Sequence, residues 1–109
     1  MTDTVFGKIA RGEVTVEIVY QDEICLAFPD IAPQAPVHLL VIPRTPFEDA
    51  TQADESTLGH ILMVAAKLGS EGCPNGFRLV TNIGEEGGQS VPHLHVHVLG
   101  GRALEWPPG

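Results

Sequence analysis

The run His93-Leu94-His95-Val96-His97-Val98-Leu99 places three of the chain's five histidines at strict two-residue spacing inside an apolar, β-branched stretch. On a strand, side chains at i, i+2 and i+4 leave from one face, so the three imidazoles share a surface while Leu94, Val96 and Val98 pack on the other. Each imidazole has two ring nitrogens that need partners once water is excluded, so a core face does not ordinarily carry three in a row. The array reads as a site. Two chemistries use one: metal ligation by neutral imidazoles with a position left open for water, or nucleophilic and acid-base catalysis in which one imidazole attacks and its neighbours fix its tautomer or move protons. The histidines alone do not choose between them.

The segment before them, Asn82-Ile83-Gly84-Glu85-Glu86-Gly87-Gly88-Gln89-Ser90-Val91-Pro92, brings amides, carboxamides and a hydroxyl to the start of the histidine run. Its glycines let backbone N–H groups approach a ligand closely, and Asn82, Gln89 and Ser90 offer neutral hydrogen bonds, which suits a phosphate bound without lysine. Charge points the same way. Six Lys and Arg against fourteen Asp and Glu give a formal net charge of −8, which argues against a nucleic-acid binder, because phosphate backbones require clustered basic residues. A small anion must be held by local dipoles instead.

At 109 residues the chain is expected to form one α+β domain. No apolar run reaches the ~18 residues of a membrane span and no leader pattern is evident, so a cytoplasmic protein is expected. Cys25 and Cys73 lack CxxC spacing, and no disulfide is expected. The pattern predicts a short helix over about 4–11, capped by Asp3 or Thr4 and ended at Gly12. Strands are predicted over 14–20 and 23–28, joined by a hairpin at Gln21-Asp22, then over 37–42, 77–82 and 93–99. A long helix is predicted from Ser56 to Leu68, ended by Gly69 or Gly72. Taken locally, His38 is a core histidine, Asp30 a turn-former and His60 surface or packing.

The spacing His-x-His-x-His, the stretch from Gly87-Gly88-Gln89-Ser90-Val91 to Gly100-Gly101-Arg102 and the ending Trp106-Pro107-Pro108-Gly109 resemble the histidine triad (HIT) nucleotide hydrolases and transferases, specifically the Hint branch of purine nucleoside phosphoramidases. Phe6-Gly7-Lys8-Ile9, Cys25-Leu26-Ala27-Phe28, Asp30-Ile31, Pro33-Gln34-Ala35-Pro36, His38 and Val41-Ile42-Pro43 extend the resemblance along the whole chain. It implies a five-stranded antiparallel sheet with the helices on one face, and a homodimer with a continuous ten-stranded sheet. In that dimer the tail over 102–109, with Trp106, lies near the partner's site and shapes specificity.

The resemblance also implies a mechanism. His95 attacks the phosphorus carrying a purine nucleoside, as in AMP or GMP joined to an amine or in aminoacyl adenylates, and water then hydrolyses the nucleotidyl-histidine. His97 and Ser90 stand near the departing amine and the phosphate oxygens. Asn82, Gly88 and Gln89 belong to the phosphate cradle, Val91 is a further nucleotide-binding residue, and His93 with His38 forms a supporting relay. Asp30 takes the ribose hydroxyls; Val5, Phe6, Ile9, Phe28, Ile31 and Leu40 line the base pocket, which scarcely separates adenine from guanine. No cofactor is implied. Many relatives carry a structural zinc held partly by paired cysteines near the N-terminus; Thr4-Val5-Phe6-Gly7 stands there instead, so no metal is carried over. Pro92 departs from the family pattern, and Cys73 and Pro74 have no assigned role.

Two alternatives stand beside this reading: a zinc-dependent hydrolase using His93, His95 and His97, with or without His38, and an adaptor that binds a purine nucleotide without turnover. Strand geometry weighs against the first, because i and i+4 lie about 13 Å apart and cannot both reach one ion at ~2.0–2.1 Å unless the strand bends sharply.

Overall fold

The computed structural model describes residues 3–109. Helix α1 (Val5–Ala10) begins at Thr4, whose Oγ1 accepts the Gly7 N–H at 3.0 Å. It ends in a Schellman turn: Gly12, at φ +78°, donates to Ile9 O, and Glu13 donates to Lys8 O. A side chain at Gly12 would resist that left-handed conformation. The helix buries Phe6 and Ile9.

Five strands follow: β1 (Tyr20–Gln21), β2 (Cys25–Pro29), β3 (Val37–Pro43), β4 (Phe77–Val80) and β5 (Val96–Gly100). They form one antiparallel sheet in the order β1-β2-β3-β5-β4. The strand expected over 14–20 shrinks to its last residue plus Gln21. The chain bends at Val19, whose N–H goes to Ala27 O at 2.9 Å although Ala27 already faces Tyr20, so two residues oppose one and the regular ladder stops there. The turn also lies later than expected, at Asp22 to Ile24, where Asp22 Oδ1 accepts the N–H groups of Ile24 and Cys25.

Helix α2 (Glu55–Gly72) is longer at both ends than its sequence pattern, starting from Asp54, whose carboxylate accepts the Thr57 N–H at 2.6 Å. Gly69 does not end it. That residue is buried inside the helix, and a Cβ there would lie 2.3 Å from the Phe77 ring, so glycine is what lets α2 settle on β4. Cys73 caps the helix and packs under Gly100. A 3-10 turn, η1 (Ala50–Gln52), precedes α2 and has no counterpart in the sequence reading.

The helices lie on opposite faces of the sheet, not on one. Cys25, Ala27, Val41, Leu94, Val96 and Val98 pack with Ile61, Val64 and Ala65 of α2. Leu26, Phe28, Leu40 and Ile42 pack with Phe6 and Ile9 of α1. The cause is compositional: β2 and β3 are apolar on both sides of the pleat, so each face needs a cover, and burying one such Leu, Ile or Phe stabilises by roughly 1.5–3 kcal/mol. Among the described residues no helix is long and apolar enough to cross a membrane.

Candidate active site

The histidine run is less regular than a strand from 93 to 99. The ladder of β5 begins only at Val96, and β4 ends at Val80 opposite His97. Pro92 offers no N–H, the His93 N–H folds back to Val91 O at 2.9 Å, and the Leu94 N–H is taken by Phe47 O at 2.8 Å. Thr81 Oγ1 then donates to His95 O at 2.8 Å, doing through a side chain what a longer β4 would do through its backbone. The two-sided alternation survives. Leu94, Val96 and Val98 face α2, while His95 and His97 face the α1 side with ring centroids 5.0 Å apart. Phe6 from α1 stands edge-on to His95 at 5.0 Å and to His93 at 6.3 Å.

The hydrogen bonds fix which nitrogen of each ring carries the proton. His95 Nδ1 lies 2.7 Å from His93 O. A carbonyl oxygen only accepts, so Nδ1 carries the hydrogen and Nε2 presents a bare lone pair. Burial lowers the pKa of His95, outweighing its bonded carbonyl and the charge of Asp30, so the ring is neutral at pH 7. A neutral imidazole with one free lone pair is a nucleophile.

A second chain of bonds begins at a backbone amide. Gln34 N–H donates to His38 Nδ1 at 3.0 Å, so the neutral His38 ring carries its hydrogen on Nε2. That nitrogen lies 2.8 Å from His97 Nδ1, which must accept, leaving His97 with Nε2–H. Burial, with like charge from His95 and His38, lowers His97 to about 4, so it acts as a neutral N–H donor. Register explains the contact: Leu40 pairs with His97 and His38 with Leu99, which puts the two imidazoles diagonally on one face. Asp30 Oδ2 stands 3.3 Å from the same His38 Nε2, and Oδ1 accepts the Ala32 N–H.

His38 therefore partners His97 and not His93, which corrects the relay expected from the sequence. His93 is 1% exposed, and its Nε2–H donates to Pro43 O at 2.9 Å while Nδ1 has no partner. Its contribution to His95 is the carbonyl that orients the ring. Phe6, Ile9, Phe28 and Leu40 form one apolar cluster, whereas Val5 is half-exposed and Ile31 is 96% exposed. In the loop, Asn82 Nδ2 donates to Gly87 O, and the Gln89 carboxamide bridges Gly84 N, Glu48 O and Val91 O. Both side chains brace the loop. The Gly88 N–H is spent inside the loop as well, on Glu85 O at 3.0 Å with φ at +79°, while the Ser90 hydroxyl is exposed. Trp106 is 83% exposed, and its segment is tethered by Arg78 to Glu105 O and by Arg102 to Gln34 O.

Ligand atoms of His93, His95 and His97 do not gather around one point. Among the described residues of this site, the group close enough to hold a metal is Asp30, His38 and His97. Metal on His38 Nε2 would push that ring's proton to Nδ1, head-on against the Gln34 N–H. The structural zinc of relatives does not fit either. Thr4 Oγ1 is committed to capping α1, and a Cβ at Gly7 would lie 3.0 Å from Asp3 Oδ1. Both cysteines stand elsewhere, and the neighbouring cleft of about 390 Å³ is lined by Asp3, Arg11, Glu48, Gln52 and His93.

Comparison with known proteins agrees with this geometry. An uncharacterized HIT-like protein of Synechococcus elongatus is 55% identical, with 98% of this chain and 97% of that protein covered. The crystal structure of a HIT family hydrolase from Legionella pneumophila superposes with a TM-score of 0.92 at 45% identity, covering 98% of this chain and all of the other. A histidine triad protein from Clostridium difficile gives 0.88 at 39% identity over 96% of each chain. The family model described as HIT domain matches residues 11–104. With its neutral, tautomer-fixed histidines on a five-stranded antiparallel sheet, the chain belongs to the HIT domain family.

Proposed function

We propose that the protein is a hydrolase of the Hint branch that cleaves the P–N bond of purine nucleoside phosphoramidates. The observation that carries the reading is the His95 Nδ1–H bond to His93 O, which leaves Nε2 unprotonated beside a fixed donor on His97. His95 Nε2 forms a bond to phosphorus as the P–N bond breaks, and the amine departs with a proton relayed from water through the Ser90 hydroxyl. His97 Nε2–H and loop N–H groups hold the phosphoryl oxygens. Water then attacks the nucleotidyl-histidine, loses its proton to solvent, and frees the nucleoside monophosphate and His95. Asp30 takes the ribose hydroxyls, and Phe6, Ile9, Phe28 and Leu40 with Val5 and Ile31 meet the base. An apolar base site on these residues favours purines by stacking area and separates adenine from guanine weakly.

Two copies would join through the outer edge of β4, the end of the sheet, bringing Trp106 of one toward the site of the other; light scattering would read a mass twice that of the chain. The reading is tested with adenosine 5′-phosphoramidate and the wild type or His95→Ala, with and without EDTA. Release of AMP that survives EDTA and disappears in the variant supports it. EDTA-sensitive turnover replaces it with metal-dependent hydrolysis, tight AMP binding without turnover replaces it with an adaptor, and preference for dinucleoside polyphosphates moves it to another branch of the family.

A further inference from the structure

The turn between β1 and β2 is organised around one carboxylate on the α2 side of the sheet, away from the hydrolytic histidines. Asp22 Oδ1 accepts two backbone N–H groups, those of Ile24 and Cys25, both at 2.8 Å. Oδ2 accepts from the Tyr20 hydroxyl at 2.8 Å and from His60 Nε2, on α2, at 2.6 Å; Cys25 Sγ lies 3.8 Å away. A carboxylate oxygen, an imidazole nitrogen and a sulfur thus lie within 4.8 Å of one another. Against the burial that raises it, the Cys25 amide, His60, Tyr20 and the Ile24 amide hold the Asp22 carboxyl well below the usual range, so it is ionised.

We propose that Asp22, Cys25 and His60 form a binding site for a divalent cation of the zinc class, with water as the fourth ligand. The donor set selects the ion: thiolate and imidazole favour zinc, cobalt or cadmium over magnesium and calcium. Tetrahedral zinc with bonds of about 2.0–2.3 Å sets its ligand atoms roughly 3.3–3.6 Å apart. The Asp22–sulfur separation is already close to that, and the Asp22–His60 pair must open by about 0.7 Å. Both side chains can make that adjustment, since they are 25% and 37% exposed, and the same exposure gives the ion a path in. Tyr20 and the two amides stay on Asp22 and hold it in place, as metal-binding carboxylates require.

The proton balance is simple. Binding removes the Cys25 S–H proton to solvent, while the His60 hydrogen moves from Nε2 to Nδ1, with no net loss there. The ion replaces two hydrogen bonds with coordinate bonds and ties α2 to the β1–β2 turn.

The test titrates chelator-stripped full-length protein with Zn²⁺ by equilibrium dialysis and with Co²⁺ by absorbance, reading the sulfur-to-cobalt charge-transfer band. One equivalent and a clear band are expected, with both retained in Cys73→Ser and His97→Ala. Cys25→Ser erases the band. His60→Ala, at a half-exposed helix position and checked for native circular dichroism, weakens uptake more than tenfold, and Tyr20→Phe weakens it by about ten- to a hundredfold. No band in the wild type, uptake indifferent to His60→Ala, or uptake lost with His97→Ala would each overturn the proposal.

Discussion

His97 should make the protein less stable in mild acid, by an amount the structure sets. The folded ring titrates at about 4 because it is buried beside His95 and His38, whereas in the unfolded chain it returns to its ordinary value near 6.5. Above 6.5 neither state binds the proton and His97 contributes no pH dependence. Between 6.5 and 4 the unfolded chain binds it and the folded chain does not, so stability falls as pH falls, by at most 1.36 kcal/mol per unit. Over that window the ceiling is about 3 kcal/mol, and solvent at the half-buried ring cuts it to about 1.5 kcal/mol. His97→Asn keeps an acceptor for His38 Nε2–H and removes the titration. Urea unfolding of both proteins at pH 7.5, 6.5, 5.5 and 4.5 isolates the effect, because acidic groups common to both cancel in the difference. The variant should lose about 1.5 kcal/mol less than the wild type on going from pH 7.5 to 4.5. Parallel curves would refute the assignment of His97 as a neutral donor.

Other perturbations have equally definite outcomes. Gly69→Ala should destabilise by about 1–2 kcal/mol in urea, because its Cβ meets the Phe77 ring and that overlap outweighs the helix propensity gained. Gly59→Ala, in the same helix with nothing within 4 Å, should stabilise by up to about 1 kcal/mol. Asp30→Asn should raise KM for adenosine 5′-phosphoramidate about tenfold or more, as loss of hydrogen bonds to a charged group requires, and the wild type should show a similar rise with the 2′,3′-dideoxy substrate. An unchanged KM in both comparisons would remove Asp30 from the ribose site.

Much of this architecture is local and therefore legible from sequence. Thr4 and Gly12 bracket α1, Pro43 closes β3, and the period-two alternation from Leu94 to Val98 marks the buried face of β5 correctly even where the backbone leaves the ladder. What is hidden depends on contacts between distant positions. His38 and His97 are 59 residues apart and meet only because β3 and β5 pair in one register. His60 looks like an ordinary helix residue until Asp22, 38 residues earlier, appears beneath it. The strand reading over 14–20 fails because its β-branched residues signal strand propensity while the chain leaves register at Val19, whose N–H goes to Ala27 O. Asn82 and Gln89 look like ligands for an anion because carboxamides at a glycine-rich loop serve equally to bind one or to brace the loop, and only the bonds to Gly87, Gly84, Glu48 and Val91 show the bracing.

The central claim, that His95 Nε2 attacks phosphorus, is tested most directly by acid-quenching a single turnover of adenosine 5′-phosphoramidate and mapping the mass of the protein and its peptides. The account predicts a transient adduct of one AMP moiety on the peptide containing His95, absent in His95→Ala. Rapid turnover with no adduct at any quench time, or an adduct on another residue, would contradict it.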